Sequence, residues 1–218
     1  MAPGSRFLDP RRAGPDGIVA LGDDLEPETL REAYSRGIFP WPHPELPAIP
    51  WVCPDPRAVL EFDRLRPPRS LRQQSRKGRF RFTVDAAFSR VIEACASVPR
   101  PGRASTWITP PLRRAYERLH ELGLAHSVEA WEGETLAGGL YGVAVDGVFG
   151  GESMFHRAPN ASKLALLFLA QRLSARGARW MDIQMLTPHL EALGARELSR
   201  AEFLDLLAAE QARNLTLF

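Results

Sequence analysis

The chain has only two cysteines in 218 residues, Cys53 and Cys95, with no CxxC pair and no histidines at metal-ligand spacing. Neither a disulfide framework nor a zinc site is expected on that ground, and both thiols are expected to be reduced and packed. No apolar run approaches the roughly 18 to 20 residues that a membrane span needs. The opening MAPGSRFLDPRRAG also lacks the apolar core of an export signal. A cytoplasmic protein with no membrane contact is expected. Nucleophile signatures are missing too: there is no GxSxG, no cysteine near a histidine and no HExxH. Covalent catalysis is unsupported, and none of the five histidines is given a catalytic role.

Net charge is also scarce, since 28 Lys and Arg against 26 Asp and Glu leave +2. Its distribution says more. From Arg64 to Arg81 the chain reads RLRPPRSLRQQSRKGRFR, with eight basic residues and no acid, and setting those eight aside leaves −6 elsewhere. Such a segment attracts phosphate through counterion release, and arginine adds forked donors that match phosphate oxygens. The candidates are Arg69, Arg72, Arg76, Lys77, Arg79 and Arg81. A solvated basic loop is the plain alternative.

With 44% hydrophobic and 25% charged residues the composition is that of a folded globular chain. Residues 1–62 are rich in proline, glycine and tryptophan, with one clear helix between Pro27 and Arg36 closed by Gly37, and read as a small irregular N-terminal domain. Residues 63–218 read as the larger α+β domain. Thr83 is expected to cap a helix with Val84, Phe88, Val91, Ile92 and Cys95 on one face, and Thr109-Pro110-Pro111 opens another that ends at Gly123. Strands follow over 125–131, 135–145 and 147–154, the last two joined by Asp146-Gly147, a two-residue hairpin signal. An apolar helix runs from Leu164 to Leu173, and a strand over 179–184 comes next. Thr187-Pro188 then opens a short helix, and Ser199 with Glu202 makes a capping box for the last one.

Polar groups on strands are informative, because burying one without a partner costs a few kcal/mol. In Trp180 to Met185 the period-2 alternation puts Asp182 and Gln184 on one face and Met181, Ile183 and Met185 on the other. In Phe149 to Phe155 a carboxylate, Glu152, stands among two glycines and large apolar residues. Helix capping and a core ion pair are the structural alternatives for these groups. Trp131 and Trp180 read as core, whereas Trp51 and Trp107 sit beside loop-forming residues, where an indole can offer a base a stacking face.

The chain resembles the bacterial leucyl/phenylalanyl-tRNA protein transferases. The matching pieces are Gly37-Ile38-Phe39-Pro40-Trp41, Trp51 to Leu60, Trp107-Ile108-Thr109, Ala125 to Glu129, Gly138 to Gly142, Gly150 to Phe155, Ala161-Ser162-Lys163, Asp182-Ile183-Gln184 and Leu193-Gly194-Ala195, in family order. The resemblance implies transfer of leucine or phenylalanine, and less readily methionine, from aminoacyl-tRNA to the α-amine of proteins that begin with Arg or Lys, marking them for degradation. It implies an acetyltransferase-like (GNAT-like) fold for the C-terminal domain, and no cofactor or metal. Asp182 and Gln184 match the family's catalytic pair, Glu152 the glutamate of its GES motif, and Trp51 and Trp107 its adenosine-stacking tryptophans. Leu140, Phe149, Met154, Leu166, Leu169 and Met181 would line the amino-acid pocket, and the basic segment would grip the tRNA body. Thr187 departs from the asparagine that relatives often carry there.

Two other functions fit parts of this pattern. A coenzyme-A-dependent N-acetyltransferase shares the implied fold but needs a glycine-rich turn at a helix N-terminus, and Arg157 to Lys163 has no glycine. An RNA-binding module would use the basic segment alone and leave Asp182, Gln184 and Glu152 without a task.

Overall fold

Pro27 opens helix α1 (Pro27–Ser35), where the missing N–H falls in a first turn that has no use for it, and Gly37 at φ 72° lets the chain leave. Around α1 run three short strands, β1 (Ile18–Leu21), β2 (Phe39–Pro40) and β3 (Pro50–Val52), which form an antiparallel sheet in the order β1-β3-β2. Strands of two to four residues carry too little alternation to be read from sequence, hence the irregular reading of this region. The computed structural model describes residues 6–43, 45–97 and 106–218. Positions 1–5, 44 and 98–105 lie outside the described residues.

The second sheet has seven strands. In chain order its elements are β4 (Arg57–Glu61), α2 (Arg69–Arg76), β5 (Arg81–Val84), α3 (Phe88–Ser97), α4 (Pro110–Glu121), β6 (Ala125–Glu132), β7 (Thr135–Val145), β8 (Val148–His156), α5 (Ala161–Ala175), β9 (Trp180–Gln184), α6 (Pro188–Glu191), β10 (Arg196–Leu198) and α7 (Arg200–Gln211). The strand order is β10-β4-β9-β8-β7-β6-β5, antiparallel except where β8 meets β9. The result is a mixed α+β fold with helices against both faces. Asp146 and Gly147, both at positive φ, make the expected hairpin turn.

Three expectations are corrected here. Arg57–Glu61, placed before the expected boundary at residue 62, is an interior strand of the large sheet, paired with β9 and β10. Thr83 caps no helix. It lies in β5, where its hydroxyl donates to Glu129 Oε2 at 2.5 Å and accepts from Trp131 Nε1 at 2.7 Å. Just ahead of α3 the N–H groups of Ala86 and Ala87 donate across the sheet to the Glu129 carboxylate. The third is β10, which pairs with β4 where no strand was expected.

One face of the sheet packs on α1, α3, α4 and α7 through Leu30, Val91, Leu112, Tyr116 and Phe203. The other packs on α2, α5 and α6 through Leu71, Leu166, Leu169 and Leu190. Each fully buried leucine or phenylalanine contributes roughly 1.5 to 3 kcal/mol of transfer free energy. β8 is the middle strand of seven, yet Gly151, Glu152, Ser153 and Met154 are all partly exposed. Its ladder with β9 registers at Gly150 and Asp182 alone. The ladder is therefore short at the centre of the sheet, and the residues of β8 beside it keep part of their surface while those of β9 are buried.

Candidate active site

Alternation along β9 sends Asp182 and Gln184 to the α4 side of the sheet, as the sequence predicts, and the backbone then adds what alternation cannot. Asp182 accepts two hydrogen bonds from Arg57 on β4, Nε at 2.9 Å and Nη2 at 2.6 Å, in a buried forked pair. The Arg57 guanidinium lies between the rings of Phe39 (4.8 Å) and Phe203 (4.5 Å). Gln184 has φ 56°, a left-handed backbone that costs a residue with a Cβ about 1 to 3 kcal/mol. Its N–H donates to Asp182 Oδ1 at 2.9 Å, which offsets that cost and fixes where the side chain starts.

From there the Gln184 carboxamide donates to Glu152 Oε1 at 3.1 Å. Glu152 is the extra residue of a β-bulge, because Gly142 pairs with Gly151 while Tyr141 pairs with Ser153. Its Oε2 accepts from the Tyr116 hydroxyl at 3.0 Å, and Tyr116 in turn is 2.6 Å from the Tyr34 hydroxyl. One connected set thus joins five elements: Arg57, Asp182, Gln184, Glu152, Tyr116 and Tyr34.

Loss of water around Glu152 pushes its carboxyl up to about 7, against hydrogen bonds from Tyr34 and Tyr116 that pull it down. The same burial, with the glutamate charge nearby, raises both tyrosines well above their ordinary value, so they remain neutral donors. A carboxyl raised on folding stabilises the fold at low pH and loses that contribution as pH climbs from the unfolded value towards about 7. Glu152→Gln is therefore expected to melt like the parent at pH 4 and above it at pH 8. Thermal unfolding at the two pH values checks this.

The remaining expected site residues divide. Leu140, Phe149, Leu166, Leu169 and Met181 are buried together on the α5 side of the sheet, with the partly exposed Met154 packed against them. They do not share a face with Asp182 and Gln184. The two sets approach one another only at the centre of the sheet, where a Cβ on Gly151 would come within 2.9 Å of Met181 Cε. Trp51 is 2% exposed, packs on Phe7 with ring centroids 5.1 Å apart and donates to the Gly22 carbonyl, so it has no free face to stack on a base. The partly exposed indole on that side is Trp41, whose ring is 6.2 Å from Phe39. Trp107 is partly exposed just before α4.

Arg69, Arg72 and Arg76 on α2, with Lys77, Arg79 and Arg81 after it, are all exposed. Arg79 is taken up by a forked pair with Glu132 at 2.8 and 3.0 Å. Arg81 lies 5.7 Å from the Trp131 ring. The basic helix is tied to the turn leaving β8 by the Asn160 side chain, which donates to Gln74 at 2.8 Å. Thr187 stands at the start of α6 as expected, but its hydroxyl bonds to His189 Nδ1 at 3.1 Å instead of capping the helix. No local sequence signal marks Arg57, Tyr34 or Tyr116, whose partners in the set are remote in the chain.

Two family models match the chain: leucyl/phenylalanyl-tRNA protein transferase over residues 59–208, and the N-terminal domain of the same enzymes over residues 23–55. A leucyl/phenylalanyl-tRNA–protein transferase of Anaeromyxobacter sp. (strain K) is 53% identical over 202 residues, covering 93% of this chain and 86% of that one. One of Nitratidesulfovibrio vulgaris (strain DP4) is 52% identical over 201 residues, covering 92% and 86%. A conserved Staphylococcus epidermidis protein of unknown function aligns in structure with a TM-score of 0.45 and 9% identity, over 83% of this chain and 67% of that one. The acetyltransferase and RNA-binding-module alternatives are set aside. With most of its length matched at this identity, the chain belongs to the leucyl/phenylalanyl-tRNA–protein transferase family and is an aminoacyltransferase.

Proposed function

We propose that this enzyme moves leucine or phenylalanine, and less readily methionine, from aminoacyl-tRNA to the α-amine of proteins beginning with Arg or Lys, marking them for degradation. The carrying observation is the hydrogen-bonded set from Arg57 to Tyr34, which reaches the partly exposed middle of β8 at Glu152. The amine nitrogen attacks the ester carbonyl, the C–N bond forms, the bond to the ribose oxygen breaks, and one amine proton ends on that oxygen. The ester is already activated, so positioning and charge stabilisation are what the protein has to add. An N-terminal amine with a reference pKa of about 7.7 to 8.0 needs little help to lose its proton near neutrality.

Gln184 orients the amine, and Glu152 beside it positions the aminoacyl-adenosine end. Asp182 acts through Gln184, since both its oxygens are engaged by Arg57. The aminoacyl side chain enters between β8 and β9 towards Met154 and Met181, with Leu140, Phe149, Leu166 and Leu169 beneath as the floor. An apolar slot discriminates single methylenes by only about 1 to 3 kcal/mol, so methionine leaks through. Trp107 and the half-buried Trp41 are the indoles with surface available to the terminal adenosine. A GNAT-like description of the large sheet suits its parted parallel pair.

The test is transfer of radiolabelled Leu, Phe or Met from charged tRNA to peptides that begin with Arg, Lys or Ala. Label on Arg and Lys peptides only, with Met slowest, supports the reading; equal labelling of the Ala peptide refutes the acceptor part. The exposed basic residues give a separate prediction. Replacing Arg72, Arg76 and Lys77 together with Ala should weaken intact aminoacyl-tRNA far more than a short aminoacyl-adenosine mimic. The log–log salt slope for tRNA should also fall by about 0.7 to 0.9 for each charge removed. Arg79 is left out, because Glu132 already holds it.

A further inference from the structure

Arg57 is the most deeply buried cation of the site, 1% exposed, and it reaches none of the part-exposed groups where substrates would arrive. Its fork is spent on Asp182, its guanidinium carbon lies over the rings of both Phe39 and Phe203, and its Nη1 is buried with no partner among the described residues. Burying an arginine with one donor unsatisfied is unfavourable. An apolar side chain opposite an apolar partner would fill the space at lower cost. What the arrangement does provide is a fixed frame: the fork holds the Asp182 carboxylate in one plane, and Oδ1 of that carboxylate is the acceptor that keeps Gln184 in its left-handed backbone.

We infer that Arg57 is a positioning residue for aminoacyl transfer, which acts through Asp182 to hold the backbone of Gln184 and so aims its carboxamide at Glu152. The inference rests on the reading that Gln184 orients the attacking amine. A lysine at position 57 would keep a positive charge beside Asp182 but has no planar fork, so it cannot fix the carboxylate plane. Charge and geometry are thereby separated in one substitution.

Arg57→Lys is expected to lose about 10²-fold of single-turnover transfer while affinities for charged tRNA and acceptor peptide stay within about threefold, since small misplacements of a positioned group cost rate and not binding. The Gln184 carboxamide NMR signals should move in the same variant. Arg200→Lys is the control, because Arg200 is also buried but holds only backbone carbonyls of Ala13, Gly14 and Cys53. It should lower thermal stability and leave the rate per folded molecule unchanged. If Arg57→Lys does not fold, Phe203→Leu, which removes the ring packed on the guanidinium, must slow transfer and shift the same signals. A parent-like rate in the folded Arg57→Lys protein, or in Phe203→Leu where that variant decides, overturns the inference. Retention of transfer by Gln184→Ala overturns the reading beneath it instead, whatever position 57 does.

Discussion

Gln184→Ala is expected to slow single-turnover aminoacyl transfer about 10²- to 10³-fold, the usual cost of removing one preorganised hydrogen-bonding group from the reacting centre. The side chain reaches Glu152 from a backbone conformation that is unfavourable for glutamine in isolation, and Asp182 holds it there. A buried glutamine kept in such a conformation beside the partly exposed middle of β8 is placed for its carboxamide and not for packing. Alanine at φ 56° has no better backbone, so stability should change little while the rate collapses. Rapid-quench measurement of label transfer, with donor affinity measured separately, distinguishes this from a binding defect. A rate within a factor of about three of the parent would remove Gln184 from the reaction.

Much of the large domain could be read from sequence because its elements carry local signals. Thr109 before two prolines, Asp146-Gly147, and Ser199 with Glu202 each fix an element end through a cap or turn that the residues make among themselves. The failures occurred where the decisive partner is remote. Thr83 has the right chemistry for a cap, but Glu129, 46 residues away, takes its hydroxyl and also the N–H groups of Ala86 and Ala87 that lead into α3. β4 follows Pro54 and Pro56, which disguise it, and its pairing with β9 spans more than a hundred residues.

The candidate site follows the same division. Asp182 and Gln184 were legible because a strand alternates, and Glu152 because a carboxylate between glycines and large apolar residues needs a reason. Arg57 is 125 residues from Asp182, and Tyr116 is 36 from Glu152, so no spacing rule joins them. The left-handed backbone at Gln184 has no sequence mark at all. Trp51 was misplaced because flanking prolines suggest a loop, whereas Pro50–Val52 is the central strand of the small sheet and its indole faces inward.

The second large effect is on stability. Asp182→Ala leaves the Arg57 guanidinium buried between two aromatic rings with no counter-charge, and breaking a buried pair from one side costs about 3 to 5 kcal/mol. Asp182→Asn is milder, because the amide oxygen can still accept from Arg57 or from the Gln184 N–H, though no longer from both with a full charge. Urea unfolding should rank the proteins parent, Asp182→Asn, Asp182→Ala in falling midpoint. Removing both partners, in Arg57→Met with Asp182→Leu, should recover stability relative to Asp182→Ala, since no charge is then stranded in the core. It should recover no transfer activity, because Gln184 has lost the acceptor that holds its backbone. A double variant that regained both would mean that the ion pair serves packing alone. A double variant no more stable than Asp182→Ala would mean that the stranded charge is not what destabilises it.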